Sequence, residues 1–265
     1  MPLAVEHVRR MRGGAQSHLM RCDDGEYYVV KFQNNPQHRK VLANELLATR
    51  LAARINLPTA PSEVIEVRRE LIEQTAELVV QLGNARTPCT PGRQFGSRYP
   101  GPPSEVSVLD FLPDEQLGGL ENLEAFAGMF VFDKWTCNTN GRQAIFFRQT
   151  GRPGYQAWMI DQGFCFNAQN WDFPDAPLRG LYARICVYDG IRGMRAFEPW
   201  MERTERIREK GAFDEVASEI PAEWYEGDLD ALYALLERLE RRTRRLPDLI
   251  QEARNSYRKP FRNWT

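Results

Sequence analysis

The chain has 265 residues, 42% hydrophobic and 27% charged, with a formal net charge of −1. That length holds one large domain or two lobes with a core each, and the near-zero charge removes any polyelectrolyte argument for nucleic acid or anionic membrane. The cysteines, Cys22, Cys89, Cys137, Cys165 and Cys186, are odd in number, widely spaced and form no C-x-x-C pair, so a disulfide framework or zinc site is not expected, and reduced thiols in a cytoplasmic protein are.

The N-terminus has no apolar run of signal-peptide length, and nowhere is there an 18-residue apolar stretch. Residues 5–32 read as three strands. Between the first two, G-G-A-Q-S-H carries Gly13, Gly14 and Ser17; such a loop either lets backbone N–H groups approach phosphates or is a plain turn. D-D-G at 23–25 is a hairpin turn, and Y-Y-V-V-K-F is a strong strand closing on Lys31. A lysine among apolar residues must find a partner or snorkel. N-E-L-L-A-T-R-L-A-A-R-I then has helical periodicity from about Val41 to Ile55, with Glu45 early in it. Separately these are a surface lysine and a solvated glutamate; together they can hold a lysine on nucleotide phosphates.

L-P-T-A-P ends that helix. V-I-E-V and E-L-V-V-Q-L are strands, with R-R-E-L-I-E-Q-T a short amphipathic piece between them. Residues 84–105 hold too much Gly and Pro for a helix or a central strand. They read as a long functional loop whose Arg93 and Arg98 either meet phosphates or pack on aromatics. Residues 106–113, V-S-V-L-D-F-L-P, read as a strand entering a hinge, where Asp110 and Leu112 would offer backbone groups to an adenine edge. A helix from Leu117 to Phe132 delivers Asp133.

A polar loop follows, with Asn138, Asn140, Arg142 and Gln143. Ala144 to Arg148 is a strand, T-G-R-P-G a turn, and Ala157 to Ile160 the returning strand, which ends in Asp161-Gln162-Gly163. One hairpin thus carries two acids and several amides. A magnesium–nucleotide site needs such a set, because a hard cation takes oxygen ligands and one acid must accept a hydroxyl proton. The aromatic, proline-rich stretch after Phe166 is a substrate segment or a cover over the lower core through Trp171 and Phe173. The remainder reads as helices at 197–210, 221–225, 229–246 and 247–258, with R-R-T-R-R on a solvated helix face.

Taken in order, Lys31 in V-V-K-F, Glu45 in N-E-L-L-A-T-R-L-A, F-D-K-W-T-C-N-T-N-G-R-Q and I-D-Q-G-F-C-F resemble the HipA-like kinase domain, over roughly residues 10–200. That group is a branch of the protein-kinase-like fold and is also similar to phosphoinositide kinases. The resemblance implies a two-lobed α+β fold, with a β-rich N-lobe (1–112), a mainly helical C-lobe (113–265), and ATP with Mg²⁺ between them. It implies that Lys31 holds ATP phosphates, that Glu45 orients Lys31 and that Asp161 ligates magnesium.

The catalytic loop departs from the family pattern. Where N-x-D and a later Asn are usual, this chain has Asn138-Thr139-Asn140, and an amide cannot accept a proton as a carboxylate does. Two readings stay open. In one, Asp133 is the base and Asn138 the metal ligand, spaced D-x-x-x-x-N. In the other, Asn140 occupies the base position, Gln143 is a polar ligand on the metal side, and the protein is a weak or inactive kinase. The expected activity is ATP-dependent phosphoryl transfer to a hydroxyl, a protein Ser or Thr. Its rivals are a nucleotide-binding pseudokinase scaffold and an interaction module that has lost the site. Neither membrane association nor direct nucleic-acid binding is expected.

Overall fold

The computed structural model describes residues 1–148, 151, 153–208 and 211–265, with Arg208 described by its backbone alone. The T-G-R-P-G turn therefore lies partly outside the described residues, as does the end of the helix expected at 197–210. Strands β1 (Ala4–Arg10), β2 (His18–Cys22) and β3 (Tyr27–Lys31) form an antiparallel meander. Gly25, at φ +84°, makes the tight turn between the last two. Helix α1 (Val41–Arg54) follows, then β4 (Ser62–Val67), the short helix α2 (Arg69–Gln74), the hairpin β5 (Val79–Leu82) and β6 (Ala85–Pro88), and β7 (Gly92–Arg98).

The main sheet has the order β1-β2-β3-β7-β4. This corrects the reading of residues 84–105 as a loop unfit for a central strand: β7 lies in the sheet interior, with Phe95 opposite both Lys31 and Val64. The prolines bracket the strand, at Pro88, Pro91 and Pro100, and none falls inside it. Gly96 within it is a packing requirement, since a Cβ there would lie 2.4 Å from Ile65 Cγ1. Along β3, Tyr28 and Val30 enter one apolar cluster with Met20, Ile65 and Val80. The period-2 alternation turns Lys31 to the opposite face, toward α1.

The second half comprises β8 (Val108–Leu109), α3 (Asp114–Leu117), α4 (Ala125–Thr136), β9 (Gln143–Phe147), β10 (Gln156–Ile160), α5 (Glu198–Arg208), α6 (Ala212–Glu219), α7 (Leu229–Arg242) and α8 (Leu246–Arg254). Strands β10, β9 and β8 form a small antiparallel sheet. The helix expected over 117–132 is two helices, interrupted after Leu117 at Gly118-Gly119, and the second runs on to Thr136. Every residue of α4 is buried. Its first eight residues, A-F-A-G-M-F-V-F, have no polar side chain to offer to solvent and must be enclosed, and α5, α7 and α8 pack on the helix. Phe126, Phe130, Phe132 and Trp135 are completely buried, each contributing about 1.5–3 kcal/mol of transfer free energy. Gly128 admits Trp200, whose ring would meet a Cβ at 2.4 Å.

The R-R-T-R-R run is only partly a solvated face. Arg242 is buried; its guanidinium donates to the Lys134 and Trp135 carbonyls and to Asp175, and it lies 4.9 Å from the Phe173 ring centre. Trp171 is buried as a cover residue. All five cysteines are free thiols. Among the described residues no helix is long and apolar enough to cross a membrane.

Candidate active site

A cleft of ≈ 810 Å³ runs between the main sheet and the β9–β10 hairpin. Its upper wall includes Gly13, Gly14 and Ser17, in the loop between β1 and β2, and Lys31. Gly13 has φ +115°, which glycine adopts without strain. Opposite lie Asn140, Arg142, Gln143 and Asp161, with Glu45 at the back and Asp110 at the edge.

The centre is an ionic triad. Lys31 Nζ contacts Glu45 Oε1 and lies 2.6 Å from Asp161 Oδ1. Glu45 also accepts the backbone N–H of Gln162 (3.0 Å) and of Gly163 (2.9 Å). One residue of α1 therefore fixes both the lysine and the loop that carries Asp161. Gly163 is required by this approach, because a Cβ would lie 2.6 Å from Val41 Cγ2. Burial works against the lysine charge, but the two carboxylates outweigh it and raise the Lys31 pKa. The Lys31 charge holds Asp161 below the usual carboxylate range, while burial pushes the Glu45 carboxyl up against the pull of Lys31. The second oxygen of Asp161 accepts from the exposed Gln143 amide at 2.8 Å.

A second ion pair joins Arg142 of the cleft wall to Asp133 behind it. Asp133 and Arg142 have no side-chain exposure, and Arg142 Nε donates to Asp133 Oδ2 at 2.8 Å while NH2 contacts Oδ1. Arg142 NH1 donates to the Ile160 carbonyl (2.7 Å) and to Gln162 Oε1 (2.6 Å). Asn138 donates to Asp133 Oδ1 at 3.0 Å and accepts the Asn140 N–H at 3.0 Å. Gly180, at φ +73°, packs on the remaining side of Asp133, where a Cβ would come within 2.2 Å.

These positions correct three expectations. Asp133 is sealed by Arg142, Asn138 and Gly180 and forms no part of the cleft wall, so the reading of it as the base does not fit. Asn138 is fully buried with both ends of its amide engaged, which does not fit a metal ligand. Leu112 is buried, and its carbonyl accepts from the Arg184 guanidinium, away from the cleft. Arg93 is paired with Glu223 at 2.6 Å and Arg98 with Glu26, and Arg98 also lines the cleft.

Sequence reasoning assigned no role to Arg142, Gln162, His38 or Asn44. Alternation at the start of β9 was the available signal for Arg142: next to Gln143, which faces the cleft, it must face inward. His38 Nε2 donates to the Gly163 carbonyl at 2.8 Å, a contact across 125 positions that no local pattern announces.

The chain finds no match among curated proteins. Among solved structures it is similar to the Golgi casein kinase with Mn/ADP bound (TM-score 0.53, 12% identity, 96% of this chain and 74% of that one). It is also similar to the Helicobacter pylori proinflammatory kinase CtkA (0.54, 13%, 95% and 96%). A third likeness is to HipA of Shewanella oneidensis MR-1, solved in a toxin–antitoxin complex with HipB and operator DNA (0.52, 14%, 95% and 68%). These likenesses show a protein-kinase-like fold. The profile of the HipA-like kinases matches residues 4–165, more than half of the chain, and this protein belongs to that family.

Proposed function

We propose that the cleft binds ATP with Mg²⁺ and that the protein transfers the γ-phosphoryl group to a hydroxyl, a Ser or Thr of a protein substrate. The observation that carries this reading is Lys31, held between Glu45 and Asp161 in the wall of the cleft. In this reading residues 1–112 and 113–265 are the two lobes. Lys31 takes the phosphates, Glu45 orients it, and the loop of Gly13, Gly14 and Ser17 covers them. Asp110 lies where the adenine edge would pass.

The donor set fits a hard divalent cation. Asp161 keeps one oxygen on Lys31, and its other oxygen accepts from the exposed Gln143 amide, an exchangeable partner. Magnesium is commonly held by one or two carboxylates, with phosphate oxygens and water completing the octahedron. Asp161 and the Gln143 amide oxygen are the groups that would hold it here; the bound ion supplies neutralisation of phosphate charge. The ADP and manganese in the Golgi casein kinase structure support this assignment by likeness of fold. The free thiols, four of them buried, suit a reducing compartment, and we place the protein in the cytoplasm.

Asn140 favours a second reading, a nucleotide-binding pseudokinase. It lies in the cleft wall, where this reading puts it in the place of the base, and the carboxylate nearest in sequence, Asp133, is sealed away. Phosphoryl transfer depends mainly on positioning and electrostatics, so an amide there slows the reaction without forbidding it.

The test is thermal unfolding with ATP, with and without Mg²⁺, on wild type and Asp161→Ala. A ligand at a hundred times its dissociation constant stabilises the folded form by about 2.7 kcal/mol. A magnesium-dependent rise in Tm, lost in the variant, is expected. No shift in wild type overturns nucleotide binding. A shift without phosphoryl transfer to any protein or peptide selects the pseudokinase.

A further inference from the structure

Asn44, one position before Glu45 on α1, is completely buried. Its Nδ2 lies 2.9 Å from the Gly163 carbonyl, 3.0 Å from that of Cys165 and 2.8 Å from that of Ala168. Its Oδ1 accepts from Trp171 Nε1 at 2.8 Å. Two amide hydrogens are thus shared among three carbonyls, and the amide oxygen takes the indole N–H. Only this orientation of an amide satisfies both sides.

The segment it holds needs an external hold. Asp161 (φ 64°), Phe166 (59°), Asn167 (55°), Ala168 (58°) and Trp171 (54°) are all in the left-handed region without being glycine. Such residues persist only where surrounding contacts over-determine them. Carbonyls buried in this bend also lose hydrogen bonds if the amide is removed. Glu45 grips the start of the segment, at the Gln162 and Gly163 N–H groups, and Asn44 grips the rest.

We propose that Asn44 is a positioning residue for Asp161: it fastens the segment 163–171 to α1, the helix that orients Lys31, and so sets the carboxylate where a nucleotide-bound cation meets it. This rests on the reading of the cleft as a nucleotide–metal site. Asn44 touches neither ligand; it acts through the backbone of the Asp161 loop. An aspartate of the same shape would not serve, since it would turn an anionic oxygen on three carbonyls.

The experiment compares Asn44→Ala and Asn44→Asp with Leu235→Ala, a core truncation on α7 that touches no part of the cleft. ATP affinity is measured with and without Mg²⁺, and hydrogen exchange is followed across residues 161–171. For both Asn44 variants the Mg-dependent affinity is expected to fall at least tenfold. Metal-free affinity should stay within about twofold, and 161–171 should lose protection. Leu235→Ala, matched for lost Tm, is expected to change none of these. Equal loss of affinity with and without metal, or protection of 161–171 that survives in Asn44→Ala, overturns the proposal. If wild type binds ATP with no dependence on Mg²⁺, the reading of the site fails, and the exchange measurement alone decides whether Asn44 holds the loop.

Discussion

Asp161 and Asp133 are both carboxylates paired with a cation at the same end of one hairpin, yet they do opposite work. Asp161 retains some solvent access, with 17% of its side chain exposed, and one of its oxygens accepts from an exposed amide. Asp133 has none, and both its oxygens are taken by Arg142. In the proposed reading the first exchanges partners to take a cation; the second can only be broken. The neighbours Arg142 and Gln143 create the difference, because strand alternation sends one inward and the other to the cleft. An ion pair is therefore a site or a support according to whether one of its atoms still has a replaceable partner.

The largest effect that would sharpen this contrast is on stability. Arg142→Ala strands a buried carboxylate and is expected to lower stability by about 3–5 kcal/mol, whereas Asp133→Leu with Arg142→Met recovers most of that loss. Chemical denaturation measures both, and a loss under about 1 kcal/mol for Arg142→Ala would break the comparison. Next comes catalysis. Asn140→Asp puts an acid in the cleft wall where Asp133 cannot reach, and is expected to raise phosphoryl transfer by about 10²-fold, the lower end for a positioned general base. An unchanged rate would remove Asn140 from the base position.

The smallest effect concerns Lys134, beside Asp133. Its ammonium donates to the Ala176 and Pro177 carbonyls, and burial lowers its pKa from 10.5 to about 8. Between those values the unfolded chain binds more protons than the folded one, so stability contributed by this group rises with pH from about 8 to 10.5. Lys134→Met is expected to remove that rise. Paired stability–pH curves test it, and parallel curves would deny the group any part.

What the sequence made legible was the local and the spaced. Alternation put Lys31 at the end of β3, helical periodicity put Glu45 on α1, and Asp161 followed from the hairpin pattern. Glu45 and Asp161, 14 and 130 positions from Lys31, then meet it in one triad because the order of motifs constrains the fold. Partner choice was not legible. Asp133 has the same local pattern whether it faces the cleft or Arg142, and only the packing of Gly180 and the hairpin decides. Asn44 looked like any polar residue opening a helix, since its partners lie 119 to 127 positions away. The strand β7 was hidden for a different reason: glycine and proline density reads as a loop when the prolines merely frame a strand and the glycine answers a close neighbour.

The place of β7 has a consequence for how the chain is made. It is the last strand of the main sheet to leave the ribosome, yet it sits between β3 and β4. Until residues 92–98 arrive, the β1–β2–β3 meander and β4 each present an open edge, the kind of surface on which chains pair with one another. Closing the sheet needs contacts more than 60 positions apart in β3 and β7, which are slow to form. A nascent chain stopped before Gly92 thus carries two unpaired strand edges that the finished protein does not, and these are what a chaperone would have to shield.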